Sequence, residues 1–235
     1  MLYAMAKRTL IIGDVHGCSE ELQMLWQACN LRPEDDVVLV GDLIAKGPKS
    51  AEVVRLCRAR NARSVRGNHE DKLLSLREQE RAGKTPSYTD EQRKLLASLS
   101  EEDLAYIESM PLWIRLPEYE ALVIHAGLAP GVPVEQQEPV HLLNMRTLDA
   151  DGQPSASRKA GPLWAATYKG PEMAYFGHHA RAGLQHHSHA LGLDTGCVYG
   201  RRLTGFILPE GRLVSVRAKK QYLDPKAPKA HPSGS

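Results

Sequence analysis

The sequence predicts an α/β fold in which parallel strands are joined by crossover helices, and two observations support this class. Short apolar runs alternate with amphipathic stretches through the first third of the chain. The 235 residues are also enough to bury one substantial core, and no internal repeat or linker divides them. We therefore expect one domain over residues 1–223, followed by a disordered tail over residues 224–235 that is rich in proline and lysine.

The first three predicted strands alternate with three predicted helices. The strands lie in the apolar runs "RTLIIGD", "DDVVLVGD" and "ARSVRGN", and the helices lie in "SEELQMLWQACN", "KSAEVVRLCRARN" and "EDKLLSLREQERAG". Ser19 is the expected N-cap of the first helix, because acidic residues follow it in the first turn. Strands that alternate with helices in this way are typical of a parallel sheet.

The remainder of the chain is richer in strands. A helical pattern covers residues 92–110, with Ser100 as a helix start, and the Met110–Pro111 step ends it. Five further strands are predicted in "LWIRL", "ALVIHAG", "EMAYFGH", "LTGFIL" and "RLVSVRA". The last two are joined by "PEG", which is short enough for a tight hairpin turn. Residues 149–162 form a polar loop of small residues.

Composition and charge exclude several classes of partner. The net charge is only +2 with histidine counted neutral, so no basic surface favours sequence-specific nucleic-acid binding. No apolar run approaches the roughly 18 residues that a membrane span requires, and the N-terminus lacks the apolar centre of a signal peptide. We expect a cytoplasmic protein with no membrane partner. The four cysteines form no C-x-x-C pair, which favours reduced thiols over a disulfide framework or a zinc knuckle.

Five predicted strands end on a side chain that can bind a metal. Two end on aspartate, one on asparagine and two on histidine, and a further histidine follows the first aspartate by two residues. Because ligands bind beyond the carboxyl ends of the strands in α/β sheets, we expect these side chains to meet at one edge. The set is Asp14, His16, Asp42, Asn68, His125 and His178.

The chemistry of this set indicates two metal ions. Taken alone, each residue is better explained as a turn aspartate or a core histidine. Five such side chains at the ends of five strands favour a metal site instead. Mixed oxygen and nitrogen ligands suit first-row divalent metals rather than calcium. A structural zinc closes at four ligands, whereas six ligands suit two ions about 3.5–4 Å apart that share a carboxylate, as in phosphoester hydrolysis. Asp42, in the middle of the set, is the expected bridge.

The motifs that contain these residues resemble those of the calcineurin-like metallophosphoesterases. "GDVHG", "GDLIAKGP", "RGNHE", "HAG" and "FGH" occur in the order and at roughly the spacings of that family. The chain is most similar to the phosphoprotein-phosphatase-like branch, and "GLDTGCVYGRRLTGFILP" resembles the C-terminal signature of the tetraphosphatase relatives. The resemblance implies an α/β fold with central mixed β-sheets, packed as a β-sandwich and flanked by helices.

The same resemblance implies a role for each residue. Asp14 and His16 would hold the first metal, Asp42 would bridge, Asn68, His125 and His178 would hold the second, and His69 would protonate the leaving oxygen. The expected cofactor is a pair of manganese ions, with iron, cobalt or zinc as alternatives.

The stretch "GDLIAKG" departs from the family pattern. Most relatives have Gly-Asp-x-x-Asp-Arg-Gly, in which the second aspartate orients the catalytic histidine and the arginine grips the phosphate. This chain has Ala45 and Lys46 at those positions. Alanine cannot accept a hydrogen bond from His69, and lysine binds phosphate as a point charge rather than as a planar fork. The pattern resembles the ApaH-like phosphatases, which implies a soluble polyanionic substrate.

Several alternatives remain open from the sequence. Arg66 and Arg146 are candidates for phosphate contact, but each is equally well explained as a structural or exposed arginine. Asp194 and Cys197 in "LDTGCVYG" are expected to be structural, with Asp194 as a candidate support for a metal ligand. The leading function is symmetrical hydrolysis of diadenosine tetraphosphate to two ADP. The alternative is a protein Ser/Thr or Tyr phosphatase acting on a phosphoprotein, and a polyphosphatase or an idle metal or nucleotide sensor is less favoured.

Overall fold

A computed structural model of the chain describes residues 7–225. Within them, the strands are β1 (Thr9–Ile12), β2 (Asp36–Leu39), β3 (Arg63–Ser64), β4 (Trp113–Leu116), β5 (Ala121–Ile124), β6 (Thr147–Leu148), β7 (Pro154–Ser155), β8 (Met173–Phe176), β9 (Gln185–His186), β10 (Ala190–Gly192), β11 (Arg202–Leu208) and β12 (Arg212–Arg217). The helices are α1 (Ser19–Ala28), α2 (Ser50–Ala59), α3 (Asn68–Arg81), α4 (Asp90–Ser98), α5 (Glu101–Glu108), α6 (Pro139–Asn144) and α7 (Trp164–Thr167), with short 3-10 helices at Pro117–Tyr119, Val134–Gln136 and Cys197–Tyr199.

The first sheet has the order β12-β11-β1-β2-β3. Strands β1, β2 and β3 are parallel, so the prediction of parallel strands with crossover helices is confirmed for this half. Strand β11 returns antiparallel beside β1 and pairs with β12 through the predicted hairpin turn. The parallel strands therefore direct their carboxyl ends to one edge of the sheet.

The second sheet has the order β4-β5-β8-β10-β9. Its inner strands β5, β8 and β10 are parallel, while β4 and β9 run antiparallel at its two edges. Strands β6 and β7 form a separate two-stranded sheet. The mixed sheets implied by the resemblance are thus confirmed.

The two sheets pack face to face. Because side chains alternate between the two faces of a strand, each strand contributes to the core between the sheets and to an outer core beneath the helices. On β5, Val123 lies in the core between the sheets, while Leu122 and Ile124 lie in the outer core under α6 and α7. On β1, Ile11 faces the second sheet, and its neighbours Leu10 and Ile12 pack beneath α1, α2 and α5. The result is a β-sandwich covered by helices on both outer faces.

Some predicted boundaries are wrong. Helix α3 begins at Asn68, two residues earlier than predicted, so Asn68 and His69 lie in its first turn. Cys18 rather than Ser19 is the N-cap of α1, and the Ser19 side chain makes no capping hydrogen bond. The polar segment 149–162 contains strand β7, and β10 has no counterpart in the prediction. Both strands are only two or three residues long, which is too short for a periodic signal.

Two further predictions concern the ends and surface of the chain. The division into residues 1–223 and a tail over 224–235 stays a prediction, since residues 226–235 lie outside the described part of the chain. Within the described part, no helix is long and apolar enough to cross a membrane.

Candidate active site

The two sheets deliver the six predicted metal ligands to one edge of the sandwich. Asp14, Asp42 and Asn68 follow β1, β2 and β3 of the first sheet, while His125 and His178 follow β5 and β8 of the second. Hydrogen bonds and short contacts connect the whole set. The structure therefore brings the six predicted residues together, and their role as metal ligands stays a prediction.

The backbone of the site is unusually strained. His16, Asp42, Ala45, Lys46 and His178 all have left-handed conformations, with φ between 45° and 68°. Non-glycine residues rarely adopt this region, and they persist there only where the surrounding structure holds them. Such strain concentrates at functional sites, which supports the assignment made from the side chains.

The first half of the site contains His16 and two aspartates. The Nδ1 atom of His16 donates to the Ile44 carbonyl at 3.0 Å, so the lone pair of the ring lies on its Nε2 atom. This Nε2 atom lies 3.4 Å from Oδ2 of Asp42 and 3.8 Å from Oδ2 of Asp14. One imidazole nitrogen thus lies near two carboxylates, and His16, Asp42 and His69 each place one ligand atom within 4.8 Å of the others.

The second half contains two histidines around Asn68. His125 donates from Nδ1 to the Val40 carbonyl at 2.8 Å, and His178 donates from Nε2 to the Asn144 carbonyl at 3.2 Å. Their other nitrogens lie 3.1 and 3.0 Å from Oδ1 of Asn68. Three lone-pair atoms at such distances repel one another unless a cation lies among them. Burial lowers the pKa of both imidazoles, so both are neutral, as metal ligands must be.

Asp42 stands between the two halves. Its Oδ2 atom faces His16, while its Oδ1 atom lies 3.6 Å from Nε2 of His125. Burial raises the pKa of this carboxyl group, but the surrounding imidazoles and the Lys46 ammonium outweigh burial and hold the pKa well below its usual range. The carboxylate is therefore ionised, with one oxygen directed to each half.

The charge of the site favours divalent cations. Burial raises the pKa of Asp14 well above its usual value, and the carboxylates of Asp194 and Asp42 raise it further. Burial likewise raises the pKa of Asp194 to about 6. Three buried carboxylates close together are costly without positive charge among them. The donor set of the structure therefore fits divalent metal ions.

Asp194 reaches the site through a close backbone contact. Gly13 precedes Asp14, and a Cβ atom at Gly13 would lie 2.2 Å from the Leu193 carbonyl oxygen. Only glycine permits this approach of the segment after β10 to the segment after β1. From the sequence, Asp194 is expected to be structural or to support a metal ligand, and its charge acts on the predicted ligand Asp14. Strand β10, which positions Asp194, is too short to be recognised in the sequence.

His69 lies beside the first half of the site. Its backbone N–H donates to Oδ1 of Asp42 at 3.1 Å, and its ring packs edge-on against the His16 ring with centroids 5.1 Å apart. Burial lowers the pKa of His69 to about 4, although the nearby Asp42 carboxylate raises it in part. Within residues 7–225, no side chain forms a hydrogen bond with the His69 imidazole, as expected from Ala45.

Lys46 extends into the same half. Its Nζ atom donates to Nε2 of His16 at 2.8 Å and lies 5.8 Å from the centre of the Tyr199 ring. The ammonium also influences the pKa of Asp14, Asp42 and Asp194, which it lowers. Lys46 is therefore a cation of the site rather than a solvated loop residue.

The two arginines occupy different surroundings. Arg146 lowers the pKa of His125 and His178 through its charge, and it donates from Nη1 to the Ala156 carbonyl at 2.9 Å. Its Nε atom is buried without a hydrogen-bond partner among the described residues. The Nε atom of Arg66 is likewise buried without a partner among the described residues, and Arg66 donates to Asp71 at 3.5 Å and to the Glu108 carbonyl at 3.4 Å. Phosphate contact stays a prediction for both, and the position of Arg146 favours it.

Glu70 has a role that the sequence analysis missed. This fully buried carboxylate accepts hydrogen bonds from four backbone N–H groups, those of Asp42, Leu43, Ile44 and Gly67, at 2.8 to 3.1 Å. Burial raises the pKa of Glu70 to about 7. The Asp42 carboxylate raises the pKa further, and the N–H donors lower it in part. Glu70 fastens the loop that carries Asp42 to the loop that carries Asn68. The feature of the sequence that could have indicated this role is a glutamate at the third position of α3.

Comparisons with known proteins agree with this geometry. A model of the calcineurin-like phosphoesterase family matches residues 7–200. A protein of Oceanobacillus iheyensis named bis(5'-nucleosyl)-tetraphosphatase PrpE, asymmetrical, is 28% identical over 92% of this chain and 94% of its own length. A Bacillus subtilis protein of the same name is 30% identical over 90% of this chain and 95% of its own length. A symmetrical bis(5'-nucleosyl)-tetraphosphatase of Psychromonas ingrahamii is 34% identical, but over only 55% of this chain and 48% of its own length.

Solved structures give the same result. A crystal structure provisionally described as a diadenosine tetraphosphatase superposes with a TM-score of 0.82 at 37% identity, over 92% of this chain and 96% of that one. A protein serine/threonine phosphatase of Saccharomyces cerevisiae has a TM-score of 0.57 at 16% identity, over 92% of this chain and 81% of that one. At that identity the second likeness shows a shared fold alone.

Proposed function

The chain belongs to the calcineurin-like phosphoesterase family of metal-dependent hydrolases, and from that premise we propose that it is a two-metal hydrolase of dinucleoside polyphosphates. One observation carries the proposal: the two oxygens of Asp42 face two different sets of ligands. Asp14 and His16 would complete the first metal site, and Asn68, His125 and His178 would complete the second. A shared carboxylate is the arrangement that two-metal phosphoester hydrolysis requires.

The protein side chains divide the remaining work. Two bound divalent ions, for which manganese is the expected choice and iron, cobalt or zinc the alternatives, would polarise the phosphoryl group and lower the pKa of the attacking water. His69 would donate a proton to the leaving oxygen from its place beside Asp42. Lys46 and Arg146 would bind phosphate oxygens, since each places a positive charge next to the carboxylates and imidazoles of the site.

Relatives support a dinucleoside tetraphosphate as the substrate. The relatives that match over nine-tenths of the chain are named bis(5'-nucleosyl)-tetraphosphatases, and a soluble polyanion suits a site with Lys46 in place of a forked arginine. Symmetrical cleavage of diadenosine tetraphosphate to two ADP is the outcome predicted from the sequence. Asymmetrical cleavage to ATP and AMP is the second candidate, because those near-full-length relatives carry the asymmetrical name.

The test is a product analysis. The protein is freed of metal, reloaded with manganese and given diadenosine tetraphosphate in one reaction and a phosphopeptide in another, and the products are separated by chromatography. We expect nucleotide products from the dinucleotide and no phosphate from the peptide. ADP alone means symmetrical cleavage, whereas equal amounts of ATP and AMP mean asymmetrical cleavage.

Two outcomes would contradict the proposal. Phosphate released from the peptide beside an intact dinucleotide means a protein phosphatase, the alternative that the sequence left open. Binding of both manganese and dinucleotide without any product means a sensor rather than an enzyme. A matched reaction with inorganic polyphosphate separates a general polyphosphatase from a nucleotide-selective hydrolase. A cytoplasmic location stays a prediction.

A further inference from the structure

A second group of convergent ligand atoms lies outside the two-metal site. It consists of Cys18, Glu21 and Cys197, whose ligand atoms all lie within 4.8 Å of one another. The three side chains are 1%, 0% and 1% exposed. Two thiols and a carboxylate therefore meet in the interior of the protein, where a carboxylate is rare unless it is paired.

The local fold brings these three residues together. Cys18 is the N-cap of α1, and Glu21 lies three residues later in its first turn, so the two side chains share one face of the helix. Cys197 begins the 3-10 helix Cys197–Tyr199 that follows β10. The other two cysteines, Cys29 and Cys57, are equally buried but belong to no such group among the described residues.

One oxygen of Glu21 lacks a partner. Its Oε1 atom accepts hydrogen bonds from the Lys219 N–H at 2.9 Å and from the Tyr222 hydroxyl at 2.8 Å. Its Oε2 atom is buried and has no hydrogen-bond partner among residues 7–225. Leaving a buried carboxylate oxygen unpaired costs free energy, and native proteins normally satisfy such an atom with a donor or a cation.

We propose that Cys18, Glu21 and Cys197 bind a third divalent cation, a thiophilic one, with zinc as the best fit. Two thiolates and a carboxylate are ordinary zinc ligands, and sulfur selects zinc over manganese. On binding, each thiol releases its proton to solvent as its metal–sulfur bond forms. The two thiolates and the carboxylate then carry three negative charges against two on the ion, and the two donors on Oε1 of Glu21 stabilise the excess charge.

The His16 carbonyl group would be the fourth ligand. The His16 carbonyl oxygen lies 3.7 Å from the Cys18 Sγ atom. In a tetrahedral site with metal–sulfur and metal–oxygen bonds of about 2.3 and 2.1 Å, neighbouring ligand atoms lie roughly 3.5–3.8 Å apart. The site is closed by protein atoms, so its role is structural. It joins the start of α1, which follows the ligand His16, to the segment that follows Asp194.

The test uses the sulfur ligands as a spectroscopic label. The full-length protein is freed of metal and titrated with Co²⁺, and sulfur-to-cobalt charge-transfer absorption is measured in the near ultraviolet. We expect a band that saturates at one Co²⁺ per chain, with a total content of three. The two-metal site contains only oxygen and nitrogen ligands, so it contributes nothing to this band.

Variants assign the band to individual residues. Cys18→Ser and Cys197→Ser should each weaken or abolish the band and lower the zinc content of the purified protein by about one ion per chain. Cys29→Ser and Cys57→Ser are the matched controls, because they remove equally buried thiols and should leave the band unchanged. Circular dichroism checks that each variant is folded, and the wild-type titration decides the proposal without any variant.

Two results would overturn the proposal. One is a Co²⁺ titration of the wild type that shows no sulfur charge transfer. The other is a disulfide between Cys18 and Cys197, seen by mass spectrometry as a loss of two hydrogens that a reductant reverses.

Discussion

Replacing Glu70 with glutamine tests whether a buried carboxylate holds the site in place. A glutamine side chain has nearly the same shape, but it offers one acceptor oxygen and presents an NH2 group in place of the other. Glu70 accepts four backbone N–H groups, two on each oxygen. Two of the four donors therefore lose their acceptor and face another donor.

The magnitude follows from the two unpaired donors. Leaving one buried donor without a partner costs about 1–3 kcal/mol, so two cost about 2–6 kcal/mol. Glutamine also removes a buried charge whose cost raises the pKa of Glu70, so the net loss lies at the lower end of this range. The freed pair is Asp42 and Gly67 or Leu43 and Ile44, and either pair includes a donor from the loop that carries Asp42. We therefore also expect metal affinity to fall about 10–100-fold, as it does when a group that orients a metal ligand is removed.

The assay is urea unfolding of metal-free protein at about pH 8.5, where a carboxyl group with a pKa of about 7 is ionised. Metal affinity is measured separately by titration with manganese. Glu78→Gln is the control, since Glu78 is exposed on the same helix and the substitution should change neither quantity. A loss of stability below about 1 kcal/mol in Glu70→Gln, with unchanged metal affinity, would refute the reasoning.

Four further predictions concern catalysis and stability. Asp42→Asn should lower turnover by more than about 100-fold and reduce the metal content of the two-metal site, which elemental analysis checks; near-wild-type activity would contradict the bridging role. His69→Ala should lower turnover by about 100-fold or more while the metal content stays unchanged, and a parallel loss of metal would instead assign His69 as a ligand. Lys46→Ala should lower kcat/KM about 10–100-fold, whereas Lys46→Arg should retain most of it, and equal losses would show that charge is not what matters. Asp103 pairs with Arg58, and although burial raises its pKa, the Ser100 N–H and Arg58 lower it below the usual value. Its contribution to stability is therefore present above the unfolded pKa of about 4 and is lost as pH falls through the lower folded pKa. The unfolding free energies of wild type and Asp103→Asn should differ at neutral pH, and the difference should shrink as the pH falls below the unfolded pKa.

The sequence predicted the family, and it predicted which side chains meet at the candidate site, because both depend on short local patterns. A buried strand that ends in glycine and a polar residue is recognisable without its neighbours, and the pattern recurs at Asp14, Asp42 and Asn68. Parallel pairing then brings the strand ends to one edge, as the structure confirms. Lys46 and Ala45 were also identified from sequence, since they replace residues within a motif.

The sequence did not predict contacts between residues far apart in the chain. The four hydrogen bonds of Glu70 depend on how α3 packs against the loop after β2, and no period in the sequence encodes that packing. Asp194 reaches Asp14 only because β10 is added to the second sheet, and a three-residue strand gives no recognisable pattern. Cys18 and Cys197 are widely separated and form no spaced pair, so their approach follows from the closure of the sandwich. Local patterns thus determined which residues line the site, whereas the packing of the two sheets decided which buried charges and thiols surround it.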